Sequence, residues 1–386
     1  MKLKNKIPKG WIEARLKDIG TFDKGVGISK EQTSNVGYPC VRYGEIYTKY
    51  NFKIKNFSSF IPKEVSMISK QISKGDILFA GSGETAEEIA KCVACLHEGI
   101  AYASGDIIIF RLNDKKQNSL FYSYFFNTIG RKQINRLAEG NSIVHIYPEE
   151  LSNINIILPP IKEQEKIVDI LELWDKAIET TKKLIEQKKL QKKYLMQKLL
   201  TGKIRLKGFK DKWNNNQLKT LCSIKKGEQL NSNQLSEQNL YPCLNGGILP
   251  SGYTNKWNTE KNTITISEGG NSCGYVNFMK NRFWAGGHCY TLINVGINLE
   301  FLYLVLKFKE KQIMLLRVGS GLPNIQKTDL EKMCIKVPTD IAEQKAIADI
   351  LSTADKQIDL LKQKLSKLQL QKKGLMQKLL IGQIRV

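Results

Sequence analysis

The sequence predicts an α+β fold in which two domains with mainly antiparallel, curved sheets are separated by two long helices. The first observation is an internal repeat, because residues 197–206, QKLLTGKIRL, return 180 positions later as residues 377–386, QKLLIGQIRV. At this shift, 23 of the 44 positions paired between residues 163–206 and 343–386 are identical. The second observation is that each repeated segment has helical apolar periodicity, whereas the residues before it form short strand-like runs. Both indicate a duplicated unit of domain and helix, related by a pseudo-twofold.

Each long helix carries an apolar stripe at alternating steps of four and three residues. Such steps, sustained over about five heptads, are the a/d pattern of a coiled coil, and neither helix can bury its stripe alone. The predicted interface positions are Ile167, Leu171, Trp174, Ile178, Ile185, Leu195 and Leu199 in the first helix, and Ile347, Leu351, Ala354, Ile358, Leu361, Leu365, Leu368, Leu375 and Leu379 in the second. Lys372 interrupts the second stripe. Two unrelated amphipathic helices are the alternative, but the shared frame and identity favour a pair.

Recognisable residues mark the helix ends. Pro160 suits the first turn of the first helix, and Asp340 with Glu343 predicts a capping box at the start of the second. Gly202 and Gly382 stand where a C-cap glycine ends a helix. At a rise of 1.5 Å per residue, about 40 residues span roughly 60 Å.

The domains before the helices repeat more faintly, and this sets the predicted boundaries. Trp11, Leu16 and Gly25 align with Trp213, Leu218 and Gly227. The predicted segments are a first domain at 1–158, a first long helix at 159–206, a second domain at 207–337 and a second long helix at 338–386. Because the helices stay similar while the domains diverge, the helices share a task and the domains differ in target.

Short apolar runs broken by Gly, Asn and Ser predict the strands of each domain. In the first domain the runs are VRYGEIY, DILFAG, KCVACL and DIIIFRL, with a helix near residues 119–138 and a last strand at 154–158. In the second they are YPCLNGGILPSGY, NTITIS, CGYVNF, HCYTLINV and KMCIKV, with a helix near residues 300–316.

The charge balance points to a polyanionic partner. The 386 residues carry 60 Lys and Arg against 37 Asp and Glu, a formal net charge of +23. No apolar run reaches 18 residues, and the opening MKLKNKIPKGW lacks an apolar signal core. We therefore expect a cytoplasmic protein with no membrane partner, which favours nucleic acid over a membrane surface.

One loop resembles a methyl-donor site. Residues 76–85, DILFAGSGET, resemble the DxFxGxG loop of amino-methyltransferases, which binds the methyl donor. Those enzymes also need an Asp/Asn-Pro-Pro-aromatic loop, whereas Pro159-Pro160 follows Leu158 and precedes Ile161. A Gly/Ser-rich turn that contacts DNA is the favoured interpretation, because small residues let backbone N–H groups approach closely.

The other motifs of the sequence predict no catalytic residue and no metal site. Cys92 and Cys95, with His97 nearby, have half of a zinc spacing, but no second CxxC follows. None of the histidines has a Ser or Cys nucleophile in a recognisable frame. We expect that the chain is not an enzyme and binds no cofactor.

With these motifs in view, the whole chain resembles the specificity subunit of type I restriction-modification systems. The most specific segments are LPPIKEQEKIVDIL, residues 158–171, and the QKLLTGKIRL repeat. The resemblance implies two target-recognition domains and two conserved helices that pair antiparallel. Each domain would read one half of a bipartite site in double-stranded DNA.

The resemblance also implies partners and cofactors. Two methylation subunits, which hold S-adenosylmethionine, would bind around the helices, and restriction subunits, which use ATP and Mg²⁺, would join outside. The family assigns no catalytic residue to this subunit and no universal set of DNA-reading residues.

Candidate DNA contacts are polar or small groups predicted in loops between strands. They are Arg42, Tyr43, Glu45, Ser82, Glu84 and Thr85 in the first domain, and Lys225, Lys226, Asn245, Glu268, Asn271, Ser272 and His288 in the second. A structural or solvated role is the alternative for each. For the whole chain, the alternatives are an autonomous S-adenosylmethionine-dependent DNA adenine methyltransferase and a structural coiled-coil protein whose charge is incidental.

Overall fold

The computed structural model of the chain describes residues 7–85, 88–137, 144–319, 321 and 323–386. The chain divides into two compact units, of which unit 1 comprises Met1–Thr181 and Lys364–Val386 and unit 2 comprises Lys182–Gln363. Each unit therefore contains one strand-rich domain together with a segment of each long helix.

Unit 1 consists of short strands and short helices, followed by the first long helix. The strands are β1 (Ile12–Arg15), β2 (Gly20–Lys24), β3 (Tyr38–Val41), β4 (Lys53–Ile54), β5 (Ser59–Ile61), β6 (Lys70–Ile72), β7 (Ile77–Ala80), β8 (Ser82–Gly83), β9 (Cys92–Cys95), β10 (Ala101–Ala103), β11 (Ile107–Leu112), β12 (Val144–His145) and β13 (Asn155–Leu158). The helices are α1 (Leu16–Ile19), α2 (Tyr43–Thr48), α3 (Lys63–Ile68), α4 (Ser119–Phe126), α5 (Arg131–Ile134), α6 (Pro148–Ser152) and the long α7 (Ile161–Leu199), which continues into unit 2.

Unit 2 is also built of short strands and short helices and includes the second long helix. Its strands are β14 (Trp213–Gln217), β15 (Ser223–Lys226), β16 (Tyr241–Leu244), β17 (Gly252–Thr254), β18 (Thr263–Ser267), β19 (Val276–Met279), β20 (Trp284–Ala285), β21 (Cys289–Ile293) and β22 (Cys334–Pro338). Its helices are α8 (Leu218–Leu221), α9 (Leu299–Phe308), α10 (Glu310–Met314), α11 (Lys327–Lys332) and the long α12 (Ile341–Leu379), which continues into unit 1.

The sheets of the two units correspond in part: β2-β11-β7-β9 matches β15-β21-β18-β19, β5-β3-β10 matches β17-β16-β20, and β1-β13 matches β14-β22, while unit 1 has additional strands. In unit 1 the strand orders are β2-β11-β7-β9-β4, β5-β3-β10-β6, β1-β13 and β12-β8, and in unit 2 they are β15-β21-β18-β19, β17-β16-β20 and β14-β22. Most neighbours are antiparallel, but β3 and β10, β4 and β9, and β16 and β20 pair in parallel. The predicted α+β class with mainly antiparallel sheets is confirmed.

One predicted strand is wrong in part. VRYGEIY was expected to be a strand, but β3 ends at Val41 and α2 begins at Tyr43. The Glu45 carboxylate accepts a hydrogen bond from the Arg42 N–H at 3.0 Å, while the Glu45 N–H donates to the Arg42 carbonyl at 2.9 Å. These local hydrogen bonds start a helix in a sequence whose apolar alternation favours a strand.

Two matched glycines are required by close backbone approach. A Cβ on Gly25 would lie 1.9 Å from the carbonyl oxygen of Ser104, and one on Gly227 would lie 2.3 Å from that of Gly286. Any side chain there would displace the backbone, which explains why Gly25 and Gly227 align although most of the domain sequence has diverged.

The long helices begin at matching junctions with their domains. The Gln164 side chain donates to the Pro159 carbonyl and accepts the N–H of Asn118, both at 3.1 Å. In unit 2 the side chain of Gln344 makes the same two contacts at 2.8 Å, with Pro338 and Asn298. Asn118 and Asn298 are the N-cap residues of α4 and α9, so each junction joins the long helix to an earlier helix of its domain.

The long helices end as the sequence predicts, but one predicted cap differs. Gly202 and Gly382 have φ of +70° and +68°, the left-handed conformation in which helices commonly end at glycine. Asp340 accepts the N–H of Ala342 at 2.7 Å, as an N-cap does. The predicted reciprocal half of the capping box is wrong, because the Glu343 carboxylate instead pairs with Arg205.

The helices pack together in antiparallel order within each unit. In unit 1 Asp175 of α7 lies 2.5 Å from the Nζ of Lys372 of α12. In unit 2 Asp355 of α12 lies 2.6 Å from the Nζ of Lys192 of α7. An early position on one helix therefore meets a late position on the other, and the two pairs are related by the 180-residue repeat. This confirms the predicted antiparallel pairing and pseudo-twofold repeat.

The predicted interface positions are all buried or half-buried. The buried ones are Ile167, Leu171, Ile185, Leu199, Ile347, Leu351, Ile358 and Leu379, and the half-buried ones are Trp174, Ile178, Leu195, Ala354, Leu361, Leu365, Leu368 and Leu375. Those near the helix starts also pack into the domain cores: Ile167 and Leu171 lie in one hydrophobic cluster with Phe121 and Phe126 of α4. The stripe thus joins each domain to the helices as well as one helix to the other.

Lys372, expected to interrupt the stripe, is itself buried. It is 5% exposed, and its Nζ lies 4.3 Å from the centre of the Phe52 ring and 4.9 Å from that of Tyr124. The Tyr124 hydroxyl donates to the second oxygen of Asp175 at 2.6 Å. Burial lowers the pKa of Lys372, whereas the hydrogen bond to Asp175 opposes that shift. The ammonium is accommodated because Asp175 and two aromatic faces surround it.

Among the described residues, no helix combines the length and apolar character that would let it cross a bilayer.

Candidate nucleic-acid interface

Three predicted contact residues of unit 2, Lys226, Glu268 and His288, meet at the carboxylate of Glu268. Glu268 follows β18, and its Oε1 lies 2.6 Å from the Nζ of Lys226, which ends β15. Its Oε2 lies 3.2 Å from the Nδ1 of His288, which precedes β21. The Tyr290 hydroxyl donates to Oε1 at 3.1 Å. The adjacency of β15, β21 and β18 in one sheet brings these residues together.

The electrostatics of this cluster keep Glu268 ionised. Burial raises the pKa of its carboxyl, but hydrogen bonds from Lys226, Tyr290 and His288, with the charge of Lys226, outweigh burial. The pKa of Glu268 therefore lies below its ordinary value. Burial and the nearby carboxylate raise the pKa of Tyr290, so its hydroxyl stays a donor.

The remaining candidates of unit 2 lie near this cluster or on the same sheet. The Oδ1 of Asn245 accepts the N–H of His288 at 3.3 Å. Asn271 is exposed and Ser272 half-buried in the 3-10 turn Gly270–Ser272, which follows Glu268. Lys225 is exposed, with Glu228 at 3.7 Å. The structure brings Lys226, Asn245, Glu268 and His288 together and leaves Lys225 outside the cluster.

In unit 1 the structure separates the candidates by burial. Tyr43, Glu84 and Thr85 are exposed, and Arg42 is half-buried. Glu45 is buried and was wrongly predicted to lie in a loop, since it lies inside α2 and binds Lys49 at 2.7 Å and Ser59 at 2.5 Å. Burial would raise the pKa of Glu45, but these hydrogen bonds hold it below its ordinary value. Both oxygens of the Glu45 carboxylate therefore accept hydrogen bonds from within the protein.

Ser82 is also buried rather than exposed in a loop. It lies in β8, and its hydroxyl is 3.1 Å from the Nδ1 of His145 in β12. The Tyr147 ring is exposed and stacks beside His145, with ring centres 6.5 Å apart. Sequence reasoning missed His145 and Tyr147. The repeat gives a signal for them, because they flank Ile146, which pairs with Ile325 at a shift of 179 residues.

Backbone hydrogen bonds show which positions of the two units are equivalent. The Gly81 N–H donates to the Asp106 carbonyl at 2.8 Å, as the Glu268 N–H does to the His288 carbonyl at 2.9 Å. The Ile146 N–H donates to the Gly81 carbonyl at 3.1 Å, as the Ile325 N–H does to the Glu268 carbonyl at 2.8 Å. Gly81 and Asp106 of unit 1 thus occupy the places of Glu268 and His288.

The segment that resembles a methyl-donor loop is largely interior. Phe79, Gly81 and Gly83 are buried, and Asp76 is 5% exposed. The Asp76 carboxylate accepts the Nε–H of Arg111 at 3.3 Å and the N–H of Ser73 at 3.0 Å. Burial raises the pKa of Asp76. These contacts give the aspartate a structural role at the start of β7.

Cys92 and Cys95 are buried in β9. Burial raises the pKa of Cys92 to about 12 and that of Cys95 to about 11, so both are thiols at neutral pH. In the part of the chain that the structure describes, no three His, Cys, Asp or Glu side chains are grouped to hold a metal ion.

Comparison with known proteins connects this architecture to a family. One family model, described as the type I restriction modification DNA specificity domain, matches residues 8–189 and 210–370. The two matched segments follow the internal duplication, since each includes one domain and most of the long helix after it.

Individual relatives match over different lengths. A Mycoplasma pneumoniae protein named as a type I specificity subunit is 37% identical over 163 residues, and the match covers 42% of this chain and 43% of the relative. A Mycoplasma genitalium relative with the same kind of name is 35% identical, and the match covers 39% of its length. These two matches span less than half of either relative. The type I restriction enzyme MjaVIII specificity subunit of Methanocaldococcus jannaschii is 26% identical over 99% of this chain and 94% of the relative.

Solved structures share the fold along the whole chain. The crystal structure of the type I restriction-modification S subunit from M. genitalium has a TM-score of 0.64 and 21% identity, with 98% of both chains covered. The HsdS subunit from Thermoanaerobacter tengcongensis has a TM-score of 0.52 and 18% identity, with 99% of both chains covered. The names of the relatives agree with the prediction of a recognition subunit rather than an enzyme. With two matched segments that together cover most of its length, this chain belongs to the type I restriction modification DNA specificity domain family.

Proposed function

We propose that this chain is the sequence-specific DNA-binding subunit of a type I restriction-modification complex and reads a bipartite target. Each strand-rich domain reads one half-site. The observation that carries this proposal is the duplication: the two units share the central part of their strand orders and their helix junctions, but carry different side chains at equivalent positions. A repeated scaffold with different surface groups suits two reading domains that recognise different sequences.

The charge of the chain supplies the affinity in this proposal. A formal net charge of +23 attracts the phosphate backbone of any duplex, whereas hydrogen bonds to base edges provide the sequence preference. Among the candidate contacts, Lys225 is an exposed cation that would contact phosphate. Polar residues near the Glu268 cluster, such as Asn245 and Asn271, would form hydrogen bonds to base edges.

The proposal includes the partner subunits. Two methylation subunits, which bind S-adenosylmethionine, and restriction subunits, which use ATP and Mg²⁺, supply the chemistry, and this chain positions them on its target. Support comes from the names of the relatives and from a similar chain, with a TM-score of 0.63, whose structure was reported for complex assembly of the type I system. The paired helices α7 and α12 are the surface on which the methylation subunits bind in this proposal.

The test is selection of binding sites from random duplex DNA by the chain purified with its methylation subunits. We expect two short fixed blocks of sequence separated by unread positions. A single contiguous block, or no enrichment of any sequence, would contradict the proposal. Replacing residues 11–150 by the equivalent domain of a relative should change only one block. Replacing residues 213–330 is the matched control and should change only the other.

Methyl transfer by the chain alone distinguishes the remaining enzymatic alternative. Purified without partners and supplied with S-adenosylmethionine, the chain should transfer no methyl group to DNA. Transfer should appear when the methylation subunits are added. Transfer by the single chain would instead show an autonomous methyltransferase.

A further inference from the structure

The Glu268 carboxylate of unit 2 is held on all sides by the protein. Lys226 and Tyr290 bind Oε1 at 2.6 and 3.1 Å, and His288 lies 3.2 Å from Oε2. The backbone of Glu268 is fixed as well, since its N–H donates to His288 and its carbonyl accepts the N–H of Ile325. Both carboxylate oxygens therefore have partners before any ligand arrives.

The groups that reach solvent in this cluster are its partners. The Glu268 side chain is 10% exposed, whereas that of Lys226 is 51% and that of His288 is 61% exposed. A carboxylate that reads a base would have to accept a hydrogen bond from an amino group, but here both oxygens already have partners and the side chain is only 10% exposed. The Lys226 ammonium has three hydrogens, of which one goes to Glu268 and two remain for a ligand.

The adjacent lysine provides an internal comparison. Lys225 and Lys226 are neighbours in β15, so their side chains point to opposite faces of the strand. The Nζ of Lys225 lies 3.7 Å from Glu228, both side chains are more than half exposed, and the contact is loose. Lys225 is a solvated charge that can follow a phosphate, whereas Lys226 is fixed and its charge is offset by Glu268.

The fold itself does not require this cluster. Gly81 and Asp106 occupy the equivalent backbone positions in unit 1 and make the same backbone hydrogen bonds. The scaffold therefore forms without a glutamate at the first position or a histidine at the second. Side chains that the scaffold does not need are free to serve a target particular to one domain.

We propose that Glu268 is a positioning residue that aims Lys226 at a guanine in the half-site read by unit 2. Guanine presents two neighbouring acceptors, N7 and O6, in the major groove, and these match the two remaining hydrogens of the ammonium. Because Glu268 offsets the charge of Lys226, the pair gains little from phosphate. Lys225 contacts phosphate instead. This inference rests on the proposed function and assigns one base class to one residue.

The test measures binding of the full chain, with its methylation subunits, to the selected duplex and to duplexes with single 7-deazaguanine substitutions. That analogue lacks the N7 acceptor but keeps base pairing. The variants are Lys226→Met, Glu268→Gln and Lys225→Met, each measured on the selected duplex and on scrambled DNA over a range of salt concentrations. Glutamine keeps the size of Glu268 but replaces one carboxylate oxygen with an NH2 group, which donates and cannot accept a hydrogen bond.

We expect the wild-type complex to bind about tenfold more weakly when one guanine of the second half-site is replaced. Lys226→Met and Glu268→Gln should bind the unmodified duplex about tenfold more weakly and lose the effect of that replacement. On scrambled DNA, both variants should change binding much less than they do on the selected duplex. Lys225→Met should keep the guanine effect, weaken binding to all duplexes and flatten the slope of log K against log salt by about 0.9.

Two controls separate positioning from folding. Tyr290→Phe removes one hydrogen bond from Glu268 but leaves both Lys226 and His288 in contact, so the guanine effect should remain. Every variant should also keep the preference for the half-site read by unit 1, which shows that the complex is folded. A structural role for Glu268 would lower thermal stability or affect all duplexes, and would not remove the effect of one base.

Several results would overturn the inference. These are a second half-site without guanine, a guanine effect that persists in Lys226→Met, and equal losses on selected and scrambled DNA in Glu268→Gln. Failure of the wild-type complex to prefer any sequence is a different result, because it would contradict the proposed function itself.

Discussion

Arg385, three residues after Gly382, binds Glu163 in the first turn of α7 through two hydrogen bonds. Its Nε lies 2.6 Å from Oε1 of Glu163 and its Nη2 lies 2.9 Å from Oε2. In unit 2, Arg205 binds Glu343 in the same way, with both distances at 2.7 Å. The arginine that follows each long helix thus binds the glutamate that begins the other, which fixes the register of the pair in each unit.

The tryptophans beside these pairs differ, and this gives a matched comparison. The Nε1–H of Trp11 donates to Glu163 at 3.1 Å, whereas the buried Nε1 of Trp213 has no partner among the described residues. Trp11→Phe should therefore lower the free energy of unfolding by about 1.5–3 kcal/mol more than Trp213→Phe, because only the former loses a hydrogen bond to a charged group. Urea unfolding measures both. Equal losses would contradict the assigned hydrogen bond.

Acid should weaken the Glu163 contacts. Hydrogen bonds from Arg385, opposed by burial and assisted by Trp11, hold the pKa of Glu163 below its ordinary value of 4.5. A carboxyl whose pKa is lower in the folded state contributes stability above the unfolded pKa, and that stability is lost as pH falls through the folded pKa. The difference in melting temperature between wild type and Glu163→Gln should shrink below about pH 4.5. A difference that stays constant to lower pH would contradict this.

Lys372 and Lys192 are related by the repeat but differ in burial. Lys372→Met should lower the free energy of unfolding by about 1–3 kcal/mol, because it removes a charged donor from the buried Asp175 site. Lys192→Met should cost about 0–1 kcal/mol, since its partner Asp355 is largely solvated. Equal losses, measured by urea unfolding, would show that the burial of Lys372 is not energetically important.

Two leucines of α12 test how the helix is buried. Leu351 is fully buried in the core of unit 2, whereas Leu360 is 64% exposed. Leu351→Asp should lower the free energy of unfolding by about 4 kcal/mol or more, since it buries an unpaired charge. Leu360→Asp should have a small effect and serves as the control. Similar melting temperatures for the two variants would contradict the described face of the helix.

The long helices were predictable because their signal is repeated and long. Apolar steps over about five heptads, a glycine at the C-terminal end of each helix and a similar second copy all indicate the same elements. The start of α2, directly after β3, was not predictable in this way. VRYGEIY has the alternation of a strand, but two hydrogen bonds between Arg42 and Glu45 start a helix there. Apolar periodicity does not reveal local hydrogen bonds of this kind.

Contacts between distant residues limited the prediction of the site. Lys226, Glu268 and His288 were each identified as candidates, but their shared hydrogen bonds depend on the order β15-β21-β18 in the sheet. Lys372 was interpreted as an interruption of the stripe because its partner, Asp175, lies 197 residues earlier. The sequence names these groups, and only the folded chain shows which of them meet.

The junctions built on Gln164 and Gln344 have a consequence for how such a chain can evolve. Each glutamine contacts a proline carbonyl and the N–H of an N-cap asparagine, so these hydrogen bonds involve no side chain of the sheets. A gene segment that encodes another domain with the same proline and asparagine can recombine at either position without change to the helices. A single crossover could therefore give a lineage a new half-site while the inherited half-site is preserved.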